Sequence, residues 1–138
     1  MNTDVFFTIG STHKVCQDYA LAAQSDKPFV LLSDGCSSAP HTDFGSRLLV
    51  KAAESFLLAN YNGAINRLLY SSIYNARATA ATLRLPDDSL CATLLIAKLE
   101  EDCFHTICSG DGVVAAKTHD GLIVVHEYDF KSGAPYYA

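Results

Sequence analysis

The chain opens with three short apolar runs, at residues 5–11, 18–24 and 29–33. Runs of this length, bounded by polar punctuation, predict β-strands. The third, Phe29-Val30-Leu31-Leu32-Ser33, is continuously apolar until its last residue, which predicts a strand covered on both faces. Ser25-Asp26-Lys27-Pro28 separates the second and third runs and predicts a hairpin turn. The period then changes. From Phe44 the apolar positions are Leu48, Leu49, Ala52, Ala53, Phe56 and Leu57, the stripe of an amphipathic helix, with Thr42 or Asp43 as its cap. A second stripe runs through Ile65, Leu68, Leu69, Ile73, Ala76, Ala80 and Leu83, with Asn62 as candidate cap and Pro86-Asp87-Asp88 as its end. The two helices are expected to lie antiparallel, with their stripes on a sheet. Residues 91–99, 104–109, 113–118 and 122–128 read as further strands, with Gly110-Asp111-Gly112 and Asp120-Gly121 as tight turns. Strands and helices in separate blocks predict an α+β layered domain, not a doubly wound one.

Composition narrows the function classes. With 138 residues, 49% hydrophobic and 18% charged, the chain suits one domain with a real core. A net charge of -5, with no basic run interleaved with aromatics, argues against nucleic acid as a partner. No apolar stretch approaches the ~20 residues of a membrane helix. The N-terminus has neither a basic segment nor a long apolar one, so no secretory signal is read. A soluble, cytoplasmic protein with no membrane partner is expected.

Five cysteines are present, Cys16, Cys36, Cys91, Cys103 and Cys108, with no Cys-x-x-Cys pair. An odd count in this spacing argues against a disulfide framework or a zinc site. Cys91, Cys103 and Cys108 fall in strand runs and are expected to be buried as small hydrophobes. Cys16 and Cys36 flank acidic positions, but no base is placed beside either to make a nucleophile. No His-x-x-x-His or His-Glu-x-x-His occurs, which argues against a zinc hydrolase, and His105 and His126 read as structural strand residues. Ser37 and Ser38 lack a Gly-x-Ser-x-Gly elbow, and there is no P-loop.

The informative feature is a matter of register. A first hairpin centred on Ser25-Asp26-Lys27 sets Asp18 opposite Asp34. Like charges directly opposed on a sheet are destabilising, and a fold tolerates them where a cation bridges them or water reaches them. Carboxylates are hard oxygen ligands suited to Mg²⁺, Mn²⁺ or Ca²⁺, and Gly35 lets the backbone come close to an ion. The bland alternative remains open: Asp-Gly is a common turn dipeptide, and Asp18 could be a solvated strand start. Asp111 is equally a turn residue unless its turn reaches the same sheet end as Asp34. His13, five residues before Asp18, is either an anion contact at that end or an exposed loop histidine.

Taken in order, Gln17-Asp18, Leu31-Leu32-Ser33-Asp34-Gly35, Gly45-Ser46, Cys91-Ala92-Thr93-Leu94-Leu95 and Ser109-Gly110-Asp111-Gly112 resemble protein phosphatase 2C, the metal-dependent protein phosphatase (PPM) family. Ser11-Thr12-His13-Lys14 with Cys16-Gln17-Asp18 is similar to a bacterial branch that often has histidine in place of a phosphate-binding arginine. The resemblance implies an antiparallel β-sandwich flanked by an antiparallel helix pair, with a metal centre of two or more Mn²⁺ or Mg²⁺ ions at one end. It implies that Asp34 bridges two metals, that the Gly35 carbonyl touches one of them, and that Asp18 acts on that metal partly through water. Asp111 would stand near a further, weaker ion, and His13 where the substrate phosphate is held. The implied reaction is attack by a metal-activated water on a phosphoserine or phosphothreonine of a protein substrate.

The family pattern continues with another Asp-Gly loop and a late Asp-Asn motif, and the sequence ends before either. Asp120-Gly121, in a tight turn soon after Asp111, does not fit as a substitute. Residues 1–138 are therefore expected to be a single partial domain, the front portion of a truncated phosphatase that binds metal weakly and hydrolyses little. The alternative is a non-catalytic phosphatase-like binding or regulatory module. Missing closing strands predict either self-association through exposed strand edges or cover from Phe130 and Pro135-Tyr136-Tyr137.

Overall fold

The computed structural model describes residues 2–23, 27–59, 61, 63–129 and 137. Its elements are β1 (Tyr19–Ala23), β2 (Phe29–Ser33), α1 (Thr42–Leu58), α2 (Ile65–Thr82), a 3₁₀ turn at Asp87–Leu90, β3 (Leu94–Glu100), β4 (Cys103–Ser109), β5 (Gly112–Lys117) and β6 (Ile123–Tyr128). Strands β1-β2-β3-β4 form one antiparallel sheet in that order, and β5-β6 form a second, two-stranded one. The class is α+β with antiparallel sheets and a helix pair, as the pattern predicted.

The register of the first hairpin is the expected one, with Tyr19 opposite Ser33 and Ala23 opposite Phe29. The turn assigned to Ser25 and Asp26 and the cap assigned to Asn62 lie outside the described residues, as do Phe130, Pro135 and Tyr136 of the tail. Between β3 and β4, Glu101 and Asp102 both take positive φ, 48° and 63°. This is the twist that a two-residue hairpin turn requires.

The core lies between the four-stranded sheet and the helices. Leu31, Leu49, Leu68, Leu94 and Ile96 are buried to 1% exposure or less. Each contributes about 1.5–3 kcal/mol by burial. Leu69 is buried as well, and Phe56 and Ile73 pack at the margin of this cluster. Gly45 marks the closest approach of α1 to the 3₁₀ turn. A Cβ there would sit 1.7 Å from the Ser89 carbonyl oxygen, so only glycine fits.

Several expectations are corrected. Residues 5–11 pair with no strand, because β1 has only β2 beside it and the second sheet only its own two members. Neither Thr42 nor Asp43 caps α1. The N-cap is His41, at φ 58°, with no side-chain cap, because the Thr42 hydroxyl is engaged by the loop before it. Phe44 and Leu83 are exposed ends of their stripes. Cys103 is exposed, at the turn-proximal start of β4. The third apolar run is not covered on both faces: Leu32 is 42% exposed. Gly110-Asp111-Gly112 does not close a hairpin, since β4 and β5 belong to different sheets and this segment carries the chain between them.

Candidate functional site

At the Ser33 end of β2 the chain leaves the helix-backed sheet through a locked segment. Thr93 N–H donates to the Asp34 carbonyl at 2.9 Å, and Asp34 N–H donates to Thr93 Oγ1 at 2.9 Å. Ser33 Oγ, fully buried, donates to the Thr93 carbonyl at 2.6 Å. Gly35 continues the ladder by bridging Ala92, and Cys36 N–H donates to the Cys91 carbonyl at 2.9 Å. Gly35 is also required by crowding, since a Cβ there would lie 2.6 Å from the Gln17 carbonyl oxygen. The backbone under Asp34 is thus fixed by groups 59 residues away in sequence.

These elements wall a cavity of about 490 Å³ that holds His13, Gln17, Asp18, Asp34, Cys36 and Asp111 in its lining. The four side chains and the glycine singled out by sequence, His13, Asp18, Asp34, Asp111 and Gly35, all meet there. Asp111 arrives through Gly110, whose φ of 94° favours glycine and where a Cβ would be 2.8 Å from Thr93 Cγ2. The crossing between the two sheets is thereby pressed against the residue that locks Asp34.

The electrostatics are those of crowded carboxyls. Asp34 is pushed up to about 6, first by burial, then by a hydrogen bond with Asp18, and then by the negative charges of Asp18 and Asp111. Burial and the neighbouring carboxylates all disfavour charge on Asp34, a penalty that a divalent cation among them would relieve. The carboxyls of Asp18, Asp34 and Asp111 supply hard oxygen donors of the kind that Mn²⁺ or Mg²⁺ takes. The set is incomplete: among the described residues no three His, Cys, Asp or Glu side chains group closely enough to hold an ion.

Sequence reasoning missed the supporting residues. Thr93 locks Asp34, and Gln17 links His13 to Thr42. Tyr137, in the cavity wall, hydrogen-bonds Cys36 and is pushed up to about 12, chiefly by that bond. The Cys36 thiol is held below its ordinary value by hydrogen bonds with Ser38 first and Tyr137 after. Only the Thr inside Cys91-Ala92-Thr93-Leu94 offered a signal, as a polar residue opening an apolar strand.

Compared with known protein families, residues 10–128 match protein phosphatase 2C. The chain belongs to that family. No curated protein matches it, and neither does any solved structure.

Proposed function

We propose that this chain carries the phosphoryl site of a metal-dependent serine/threonine phosphoprotein phosphatase. The observation that carries the reading is the gathering of Asp18, Asp34, Asp111 and His13 in the lining of one cleft. Asp34, Asp18 and the Gly35 carbonyl would hold Mn²⁺ or Mg²⁺, with Asp111 toward a further ion. A metal held there would supply a water of lowered pKa and offset charge on the phosphoryl oxygens. His13, in the lining of the same cleft, would meet the phosphoryl group of a phosphoprotein substrate. Asp34 and His13 are the groups assigned to catalysis.

The reading rests on a ligand set that the described residues leave incomplete. It predicts weak Mn²⁺ binding by this chain and little turnover of a phosphothreonine peptide. Isothermal titration with Mn²⁺ tests it. A measurable affinity that falls in Asp34→Asn supports the site, and an affinity untouched by that change removes Asp34 from it. No helix among the described residues is long and apolar enough to cross a membrane, and we place the activity in the cytoplasm of a bacterium. A second reading, a non-catalytic module that binds a phosphoprotein, is favoured by the incomplete ligand set. Phosphopeptide binding without metal dependence or turnover would select it.

A further inference from the structure

A chain of side-chain hydrogen bonds with a fixed direction connects His13 to the floor of the cleft. Its far end is the carbonyl of Cys36, which only accepts. Thr42 Oγ1–H donates to that carbonyl at 3.1 Å. With its proton committed there, Thr42 Oγ1 accepts from Gln17 Nε2 at 2.9 Å. An amide whose nitrogen faces Thr42 turns Oε1 the other way, and Gln17 Oε1 lies 3.0 Å from His13 Nδ1. An amide oxygen accepts only, so Nδ1 carries a proton. Thr42 is fully buried, where an unmet hydrogen bond is penalised most, and this keeps the chain ordered from its inner end.

The other side of the ring is set by Gly10. His13 N–H donates to the Gly10 carbonyl at 3.0 Å. A Cβ on Gly10 would fall 3.0 Å from His13 Cδ2 and 3.7 Å from Nε2, so a side chain at that position would crowd the edge that carries Nε2. A neutral imidazole in water prefers its proton on Nε2, and a hydrogen bond at Nδ1 reverses the choice.

We propose that Gln17 and Thr42 are positioning residues that fix the His13 proton on Nδ1 and present Nε2 to a phosphoryl oxygen in the cleft. The phosphoryl half of this statement rests on the reading of the cleft given under Proposed function. Nε2 then accepts a hydrogen bond from a protonated phosphoryl oxygen when the ring is neutral, and its N–H donates one when the ring is charged. Neither Gln17 nor Thr42 touches the ligand.

The test is nitrogen NMR of the full chain labelled with ¹⁵N-histidine, in metal-free buffer, followed by titration with inorganic phosphate. In the wild type the neutral His13 ring is expected as the Nδ1–H tautomer. Gln17→Leu and Thr42→Val are expected to convert it to mainly Nε2–H, and Thr42→Ser to restore the wild-type pattern. His105 and His126, both exposed on strands, serve as unchanging internal references. Phosphate should shift the His13 signals in the wild type and in Thr42→Ser. With the ring charged, where Gln17 Oε1 holds Nδ1–H and Nε2–H donates to the phosphate, binding should be roughly 3- to 10-fold weaker in Gln17→Leu, the loss expected for one hydrogen bond. If buried Thr42→Val fails to fold, Gln17→Leu alone decides. An Nε2–H ring in the wild type, or a wild-type tautomer in folded Gln17→Leu, overturns the positioning role. An Nδ1–H ring that ignores phosphate overturns the phosphoryl half and, with it, the reading of the cleft.

Discussion

On the face of the four-stranded sheet that meets α1 and α2, Leu31 and Ile96 stand opposite each other at 1% exposure or less. On the other face their neighbours Leu32 and Leu95 are also paired, yet Leu32 is 42% exposed. The hairpin β5–β6 lies toward that face across a cavity of about 320 Å³, and Val113, Ile123, Val124 and Val125 remain open to solvent. The same residue types are closed by helices on one side and only partly roofed on the other, where Leu95 is buried but Leu32 is not. The candidate site sits where these two layers meet. Asp34 is anchored in the finished layer through Thr93, and Asp111 belongs to the crossing into the open one.

The sharpest way to break this contrast is to shave one side chain from each layer. Leu49→Ala and Leu69→Ala, on the closed side, should each lose about 2–5 kcal/mol, the transfer term plus a cavity that α1, α2 and the sheet cannot collapse. Val124→Ala, on the open side, should change stability by no more than ~0.5 kcal/mol. Urea titration reads both. Comparable losses from the two layers would show that the hairpin closes a core of its own.

Next in size is association. An apolar, half-roofed layer of this kind draws a second copy or another apolar surface. Light scattering of the 138-residue chain should therefore show concentration-dependent self-association. Val124→Lys should weaken it at least tenfold, about 1.4 kcal/mol, because a charge must then be desolvated at the contact. A monodisperse monomer at every concentration, unchanged by Val124→Lys, would mean that the open layer is not an associating surface.

A smaller effect probes the seam between the layers. Asp34 keeps its proton in the folded state up to about 6, above its ordinary 3.8. Between those values the folded chain binds more protons than the unfolded one, so stability falls as pH rises from about 4 to about 6 and then levels. With a chelator present, the Asp34 share of that fall should be roughly 1 kcal/mol, discounted because the carboxyl is open to the cleft. Asp34→Asn should flatten this part of the profile and stabilise the metal-free chain at neutral pH. A profile that rises through the same window would contradict the crowding of Asp34 by Asp18 and Asp111.

Much of the closed layer was legible. The helical stripes name Leu49, Ala53, Leu68 and Leu69, all of them buried, because burial on one face imposes a 3.6-residue period, although Val50, equally buried, falls outside the stripe. The opposition of Asp18 and Asp34 was also legible, since hairpin register follows from where the turn is centred. The open layer was not. Residues 5–11 and Leu32 have the apolar character of covered strands, and sequence pattern does not record whether a covering partner is present. The links that hold the site were equally silent. Gln17 to Thr42 spans 25 residues and Asp34 to Thr93 spans 59. Single polar side chains meeting over such distances leave no periodic trace. The Gly-Asp-Gly segment was misread for a related reason, because the same dipeptides serve a hairpin turn and a crossing between sheets.

The smallest expected effect isolates one link between the layers. Thr106 Oγ1 on β4 and the Tyr128 hydroxyl on β6 are 2.8 Å apart. They tie the edge of the closed sheet to the last strand of the open one. Tyr128→Phe removes this bond and little else, because the ring stays. A neutral bond of this kind is worth about 0.5–1.5 kcal/mol, and a half-exposed one falls toward the lower figure. Global melting follows the helix-backed core and should scarcely respond. Local opening of β5–β6 should respond, because few buried contacts hold that hairpin and its protection against hydrogen exchange depends on what fastens it. Amide exchange of β5 and β6 should therefore quicken about two- to threefold in Tyr128→Phe, the equivalent of ~0.5 kcal/mol, while β3 amides keep their wild-type rates. Equal acceleration in β3 and β6 would mean that the two layers open together, and that the difference in their burial is not a difference in their stability.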